Sequence, residues 1–165
     1  MATTYQIDPA HSTAKFSVKH MMVAKVHGGF KNISGTFCYD SEKIEQSSVD
    51  VSIDASSIDT RDEQRDSHLK GVDFFNAEKF PTITFKSIRF EQNQHELLVT
   101  GNLTIHGVTK KITLQVKAPG KELKGLSGKT KIRRKDFGLI WHGVMEAAGI
   151  LVGDEISINF EVGFQ

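Results

Sequence analysis

Residues 97–118 read LLVTGNLTIHGVTKKITLQVKA, and their alternation decides the fold class. Leu97, Val99, Leu103 and Ile105 fall on one parity; Thr100, Asn102 and Thr104 fall on the other. After His106 and Gly107 the pattern resumes, with Ile112, Leu114 and Val116 opposed to Lys111, Thr113, Gln115 and Lys117. Successive side chains of a strand point to opposite faces, so the stretch is a hairpin with one apolar and one wet face. Gly107 supplies the permissive backbone for the connection, with His106 as a turn residue. Either a packed core or a bound apolar molecule lies against the apolar face.

The same period recurs along the chain. Ala14, Phe16, Val18 and His20 share a parity, as do Val49, Val51, Ile53 and Ala55, then Ile83 and Phe85, and finally Ile156, Ile158, Phe160, Val162 and Phe164. Phe30 and the Gly35–Phe37 segment add two short strands. Many short alternating strands separated by Gly or Asx turns predict an antiparallel sandwich or barrel. Two stretches break the pattern. Thr60-Arg61-Asp62-Glu63 reads as a capping box, predicting one short helix over about 61–70 that Gly71 ends, with DFFNAEKFP following as a turn. Residues 138–152 are apolar with Glu146 as their single charge, which fits two short strands, a buried turn or a lid.

At 165 residues the chain is expected to form one domain. Eleven Phe against one Trp and two Tyr supply apolar area without polar atoms that need partners, suiting a core or a greasy cavity. Cys38 is alone, which excludes an intramolecular disulfide and a thiolate zinc cage. No HxH, HExxH, nucleophile elbow or Gly-rich phosphate loop occurs, so neither metal, cofactor nor catalysis is expected. An enzyme would have only His11, His20, His68 and Arg134 as raw material. The N-terminus lacks a basic region followed by an apolar run, and no apolar run is long enough to span a bilayer; a soluble cytoplasmic protein is expected.

Charge is unevenly placed although the formal net charge is +1. Residues 110–135 carry Lys and Arg almost exclusively, whereas residues 40–66 are rich in carboxylates. The basic run is either a solvated strand face or a surface that meets lipid headgroups or a phosphate. Its outward members are taken as Lys110, Lys111, Lys117, Lys129, Lys131 and Arg133. It lacks interleaved aromatics, so no nucleic-acid partner is expected. Arg134 shares the parity of Ile132 and Thr130, which points its guanidinium inward, where Asp66, Asp136 or a phosphate would satisfy it.

Tyr5-x-Ile7-Asp8-x-x-His11-Ser12, Phe16-x-Val18-x-His20, Gly28-x-Phe30 and Gly35-x-Phe37 resemble the opening of the YceI-like family. The likeness continues through Arg65-Asp66-x-His68-Leu69, Asp73-Phe74-Phe75 and Phe80-Pro81-x-Ile83-x-Phe85. It runs on through Gly101–Lys110, Arg134-x-Asp136-Phe137-Gly138 and Gly153-Asp154, spanning essentially the whole chain. The resemblance implies an extended, all-β, eight-stranded antiparallel lipocalin-like barrel holding a long isoprenoid or related amphiphile as a non-catalytic carrier or sequestering protein. The tail would lie along Phe16, Val18, Phe30, Phe37, Phe85, Leu103, Ile105, Leu114, Ile132 and Phe160. Phe74, Phe75, Phe137, Trp141 and Met145 would form a mouth or lid, and Arg134, Arg65, His20 and His11 would meet a polar head. Relatives make a homodimer a further option, and many carry a secretion signal. The alternative is a stress-related interaction module whose barrel is filled by its own side chains.

Overall fold

The computed structural model describes residues 3–20, 25–71, 75–117, 125–139 and 152–165. Phe74, Trp141, Met145 and nearly all of the 138–152 segment lie outside them, as do the side chains of Val18, His20, Arg65 and His68. Ten strands are described: β1 (Thr3–His20), β2 (Lys25–Phe30), β3 (Ile33–Tyr39), β4 (Ser48–Asp54), β5 (Ile58–Asp59), β6 (Thr82–Asn93), β7 (Glu96–Ile105), β8 (Val108–Lys117), β9 (Gly125–Arg133) and β10 (Val152–Phe164). They run in the order β10-β9-β8-β7-β6-β4-β3-β1, and β1 pairs back with β10, so eight antiparallel strands close into a barrel. β2 extends that wall, pairing the C-terminal half of β1 along the edge whose N-terminal end pairs β3, and β5 pairs β2. Closure removes sheet edges.

The hairpin that decides the class forms in the expected register, with Ile105 opposite Val108 and Val99 opposite Leu114. Its two-residue turn has positive φ at both His106 (55°) and Gly107 (74°), the mirror-image turn whose twist matches the strands. The ring of Phe80 packs on His106 at 4.8 Å, and a Cβ on Gly107 would come within 2.7 Å of that ring. Gly107 is therefore required twice over, by conformation and by space.

β1 is long because it serves two neighbours, pairing β3 through Thr3–Gln6 and β2 through Ala14–Lys19. Between these stretches the register with β10 shifts, from Asp8 opposite Gly163 to Thr13 opposite Glu161. Local side-chain bonds hold the irregularity. The Ser12 hydroxyl donates to the Asp8 carbonyl at 2.7 Å and accepts from the Gly163 N–H at 3.1 Å. The Ala10 N–H donates to the Asp8 carboxylate at 3.0 Å. Inward parity consequently changes from odd at Ile7 to even at Ala14, both buried.

The single described helix, α1 (Glu63–Lys70), starts two residues later than about 61, and its cap differs from expectation. Asp62 caps it, its Oδ1 accepting from the Gln64 N–H at 3.1 Å. Thr60 instead donates from its N–H (2.9 Å) and its hydroxyl to Oδ1 of Asp66, tying the helix to the end of β5. β9 stops at Arg133 rather than continuing, and Arg134–Phe137 turn as a 3-10 helix ended by Gly138 at φ 71°.

Four carboxylates at strand ends and irregularities gather donors and are held below their ordinary value of 3.8. The leading causes are His11 for Asp8, the Lys43 N–H for Asp40, the Ser56 hydroxyl for Asp54 and Lys31 for Asp59. A folded-state value lowered below the unfolded one gives stability that is complete above about pH 4 and is lost as pH falls further. The thermal midpoint is expected to stay level down to about pH 4 and drop below it, with Asp54→Asn removing part of the drop. A midpoint that rises below pH 4 would contradict this assignment.

Candidate ligand cavity

Inward parity from all eight strands converges on a cavity of about 170 Å³. A hole that holds one water needs only ~10–15 Å³, so the described side chains leave unfilled space between them. Among the described residues, apart from Lys15 and Thr130, the lining is entirely Ile, Val, Leu, Phe and Ala. Water gains nothing from such a wall, which therefore favours an apolar occupant. Several lining residues on the inner parity, including Val51, Ile112, Leu114 and Ile158, are only half-buried although they face inward. Unfilled space beside them accounts for that exposure.

Of the lining residues, Phe37, Phe90 and Phe164 cluster at one end of the barrel, and Phe75 and Leu139 come from the connections at the other, beside the β7–β8 turn. Phe75 packs edge-on against Phe30 with ring centroids 5.9 Å apart, and Leu139 is fully buried. The connections at that end of the barrel therefore reach in to wall it.

Glycines on the strands keep the lumen open. A Cβ on Gly28 would lie 2.5 Å from the Phe16 ring, on Gly101 2.6 Å from Phe85 and on Gly128 2.4 Å from Phe160. Gly28 sits directly opposite Phe16, and Gly128 directly opposite Phe160. Each ring occupies the room a neighbouring strand leaves by lacking a side chain, so it lies along the wall. Among the described residues eight Phe line the cavity, and these three supply apolar surface without consuming the interior.

Nine of the ten residues read as a tail path line this cavity: Phe16, Phe30, Phe37, Phe85, Leu103, Ile105, Leu114, Ile132 and Phe160. The side chain of Val18 is outside the description. Sequence parity missed Phe90 for a definable reason. β6 carries a bulge between Ser87 and Arg89, so inward positions change from Ile83 and Phe85 to Phe90. Val51, Ile53, Val99, Leu126 and Val162 also line the cavity, and simple extension of the same parity finds them.

Of the four polar candidates, His11 and Arg134 have described side chains, and these two stand apart. His11 faces solvent with its Nδ1 2.7 Å from the Asp8 carboxylate, on the outer side of the β1 irregularity. Arg134 is buried, as its parity suggests, but from the 3-10 turn rather than from a strand. Its Nη1 donates to the Leu139 carbonyl at 2.9 Å, and the Leu139 N–H donates back to the Arg134 carbonyl at 3.0 Å. The guanidinium thus fastens the 134–139 loop that carries Phe137 and Leu139. Phe75, of the expected mouth residues, lines the cavity; Phe137 is fully buried behind it, beside β8 and β9. Among the described residues no His, Cys, Asp or Glu group has the geometry to hold a metal ion, and no helix is long and apolar enough to cross a membrane.

With this geometry in place, the profile of the YceI-like domain matches residues 5–164. The chain belongs to the YceI-like family. Protein YceI of Salmonella newport is 36% identical over 148 residues, 84% of this chain and 78% of that one. Among solved structures, Burkholderia cenocepacia BcnA superposes with a TM-score of 0.83 at 29% identity, over 94% of this chain and 98% of the other. The Campylobacter jejuni YCEI protein gives 0.72 at 33% identity, over 89% of each chain. A polyisoprenoid binding domain from Saccharophagus degradans shares the fold, with a TM-score of 0.75 at 15% identity over 98% and 97% of the two chains. The lipocalin-like barrel of this YceI-like chain is therefore the fold of its relatives over nearly its whole length.

Proposed function

We propose that this YceI-like protein binds the hydrocarbon tail of an isoprenoid or similar amphiphile within its barrel, as a non-catalytic carrier or sequestering protein. The observation that carries the reading is the unfilled cavity of about 170 Å³ with its almost wholly apolar lining. Each buried methylene contributes ~0.8 kcal/mol, so a long tail needs few polar contacts to bind well. The same cavity argues against a filled barrel acting purely through its surface. The polyisoprenoid described for the Saccharophagus degradans domain is a compound of this class, and at 15% identity that likeness speaks for the fold. Native mass spectrometry of protein purified from its host, followed by organic extraction, tests the proposal. An amphiphile that co-purifies and is removed by extraction supports it. Protein that emerges empty and whose stability does not respond to added isoprenoid contradicts it.

A further inference from the structure

The barrel wall has one weak seam. Among the described residues β8 pairs with β7 at ten positions and β9 with β10 at nine, but β8 and β9 pair at only two, Gln115 with Lys129 and Val116 with Gly128. Beyond Lys129 a side chain substitutes for the ladder, the Thr130 hydroxyl donating to the Thr113 carbonyl at 3.0 Å. The strands then part, and a cleft of about 330 Å³ opens between them. Residues of both parities line it. Lys111, Lys131 and Arg133 belong to the outer face, whereas Lys110 lies opposite Leu103 on the parity of Ile112. The expectation that Lys110 points outward is thereby corrected: it stands on the inner parity and is exposed because the wall has opened beside it.

Ile112 and Ile132 line both this cleft and the central cavity, and Phe137 completes the cleft's floor. Two isoleucine side chains thus stand between the lumen and a set of four cations. Asp136 and Glu155 also border the cleft, and Lys131 lies 3.6 Å from Glu155. Among the described residues Lys110, Lys111 and Arg133 have no carboxylate within ion-pair distance. The cleft therefore keeps an excess of positive charge at the point where the apolar interior comes closest to the outside.

We propose that the β8–β9 seam is a lateral exit for the bound amphiphile, where Lys110, Lys111, Lys131 and Arg133 hold an anionic head outside the barrel wall. The inference rests on the tail reading and deepens it. The tail lies in the lumen, the chain passes between Ile112 and Ile132, and the anion meets donors that stay partly hydrated, so neither group is buried unpaired. Isothermal titration with farnesol, farnesyl diphosphate and inorganic pyrophosphate, on the wild-type protein and on the Lys110→Gln/Arg133→Gln variant, tests it. Both substituted side chains are exposed. Farnesyl diphosphate is expected to bind the wild type about tenfold more tightly than farnesol, and inorganic pyrophosphate much more weakly than either. In the variant the diphosphate advantage is expected to disappear while farnesol binding is unchanged. An advantage that survives in the variant, or is absent from the wild type while farnesol binds, overturns the cleft assignment and leaves the tail reading standing. Pyrophosphate binding as tightly as the prenyl diphosphate makes the cleft a free-anion site and overturns the proposal. Failure of both prenyl compounds to bind overturns the tail reading and this inference together.

Discussion

Phe37→Ala is expected to lower the unfolding free energy by about 3–5 kcal/mol, within the range for truncating a buried Phe. Phe37 is 2% exposed and joins four other rings: Tyr5, Tyr39, Phe90 and Phe164, at centroid distances of 5.5 to 6.4 Å. Those rings come from β1, β3, β6 and β10, so one side chain couples strands on both sides of the barrel closure. Loss of the ring leaves its neighbours facing a cavity that is already partly empty, and the β strands cannot collapse inward to fill it. Urea denaturation should show a lower midpoint with little change in slope, because the surface exposed on unfolding is nearly the same. A loss below about 1 kcal/mol would mean that this ring cluster does not support the fold.

Leu114→Trp is expected to weaken binding of a long alcohol about fiftyfold without destabilising the ligand-free protein. Leu114 lies opposite Val99 on the inner wall and remains half-buried because space adjoins it. A Trp ring there would occupy the room of about three methylenes, each worth ~0.8 kcal/mol to the tail. Filling existing space also removes the strain that ordinarily accompanies a small-to-large core substitution. The paired readout matters: equal losses of stability and binding would indicate a damaged barrel, and unchanged binding would place the tail elsewhere.

The period-2 pattern made the strands legible because their two faces meet different surroundings, and in β7 and β8 the register follows it residue by residue. Parity fails where the backbone is irregular. The bulge after Ser87 hid Phe90, and the side-chain bonds of Asp8 and Ser12 move the inward set of β1 from odd to even positions. The burial of Arg134 was legible, but its bond to the Leu139 carbonyl depends on a turn that no alternation marks. Thr60 looked like a cap because its spacing to Glu63 is right. In the structure Asp62 lies nearer the helix start, and Asp66 competes successfully for the Thr60 hydroxyl.

The cavity itself was only half legible. Apolar parity names the wall and cannot say whether the space between the walls is filled. Openness comes from the register that sets Phe16 against Gly28 and Phe160 against Gly128, a relation between residues distant in sequence. The seam is harder still to read, being a shortage of pairing between β8 and β9 rather than the presence of any residue type. Its cations were visible as a basic run; their position beside Ile112 and Ile132 was not.

The most direct measurement is the affinity of the wild-type protein for a series of straight-chain alcohols of increasing length. If the tail lies in the lumen, affinity should rise about fourfold per added methylene until the chain fills the barrel, then level off. Affinity that is independent of chain length, or no binding at any length, would contradict the account.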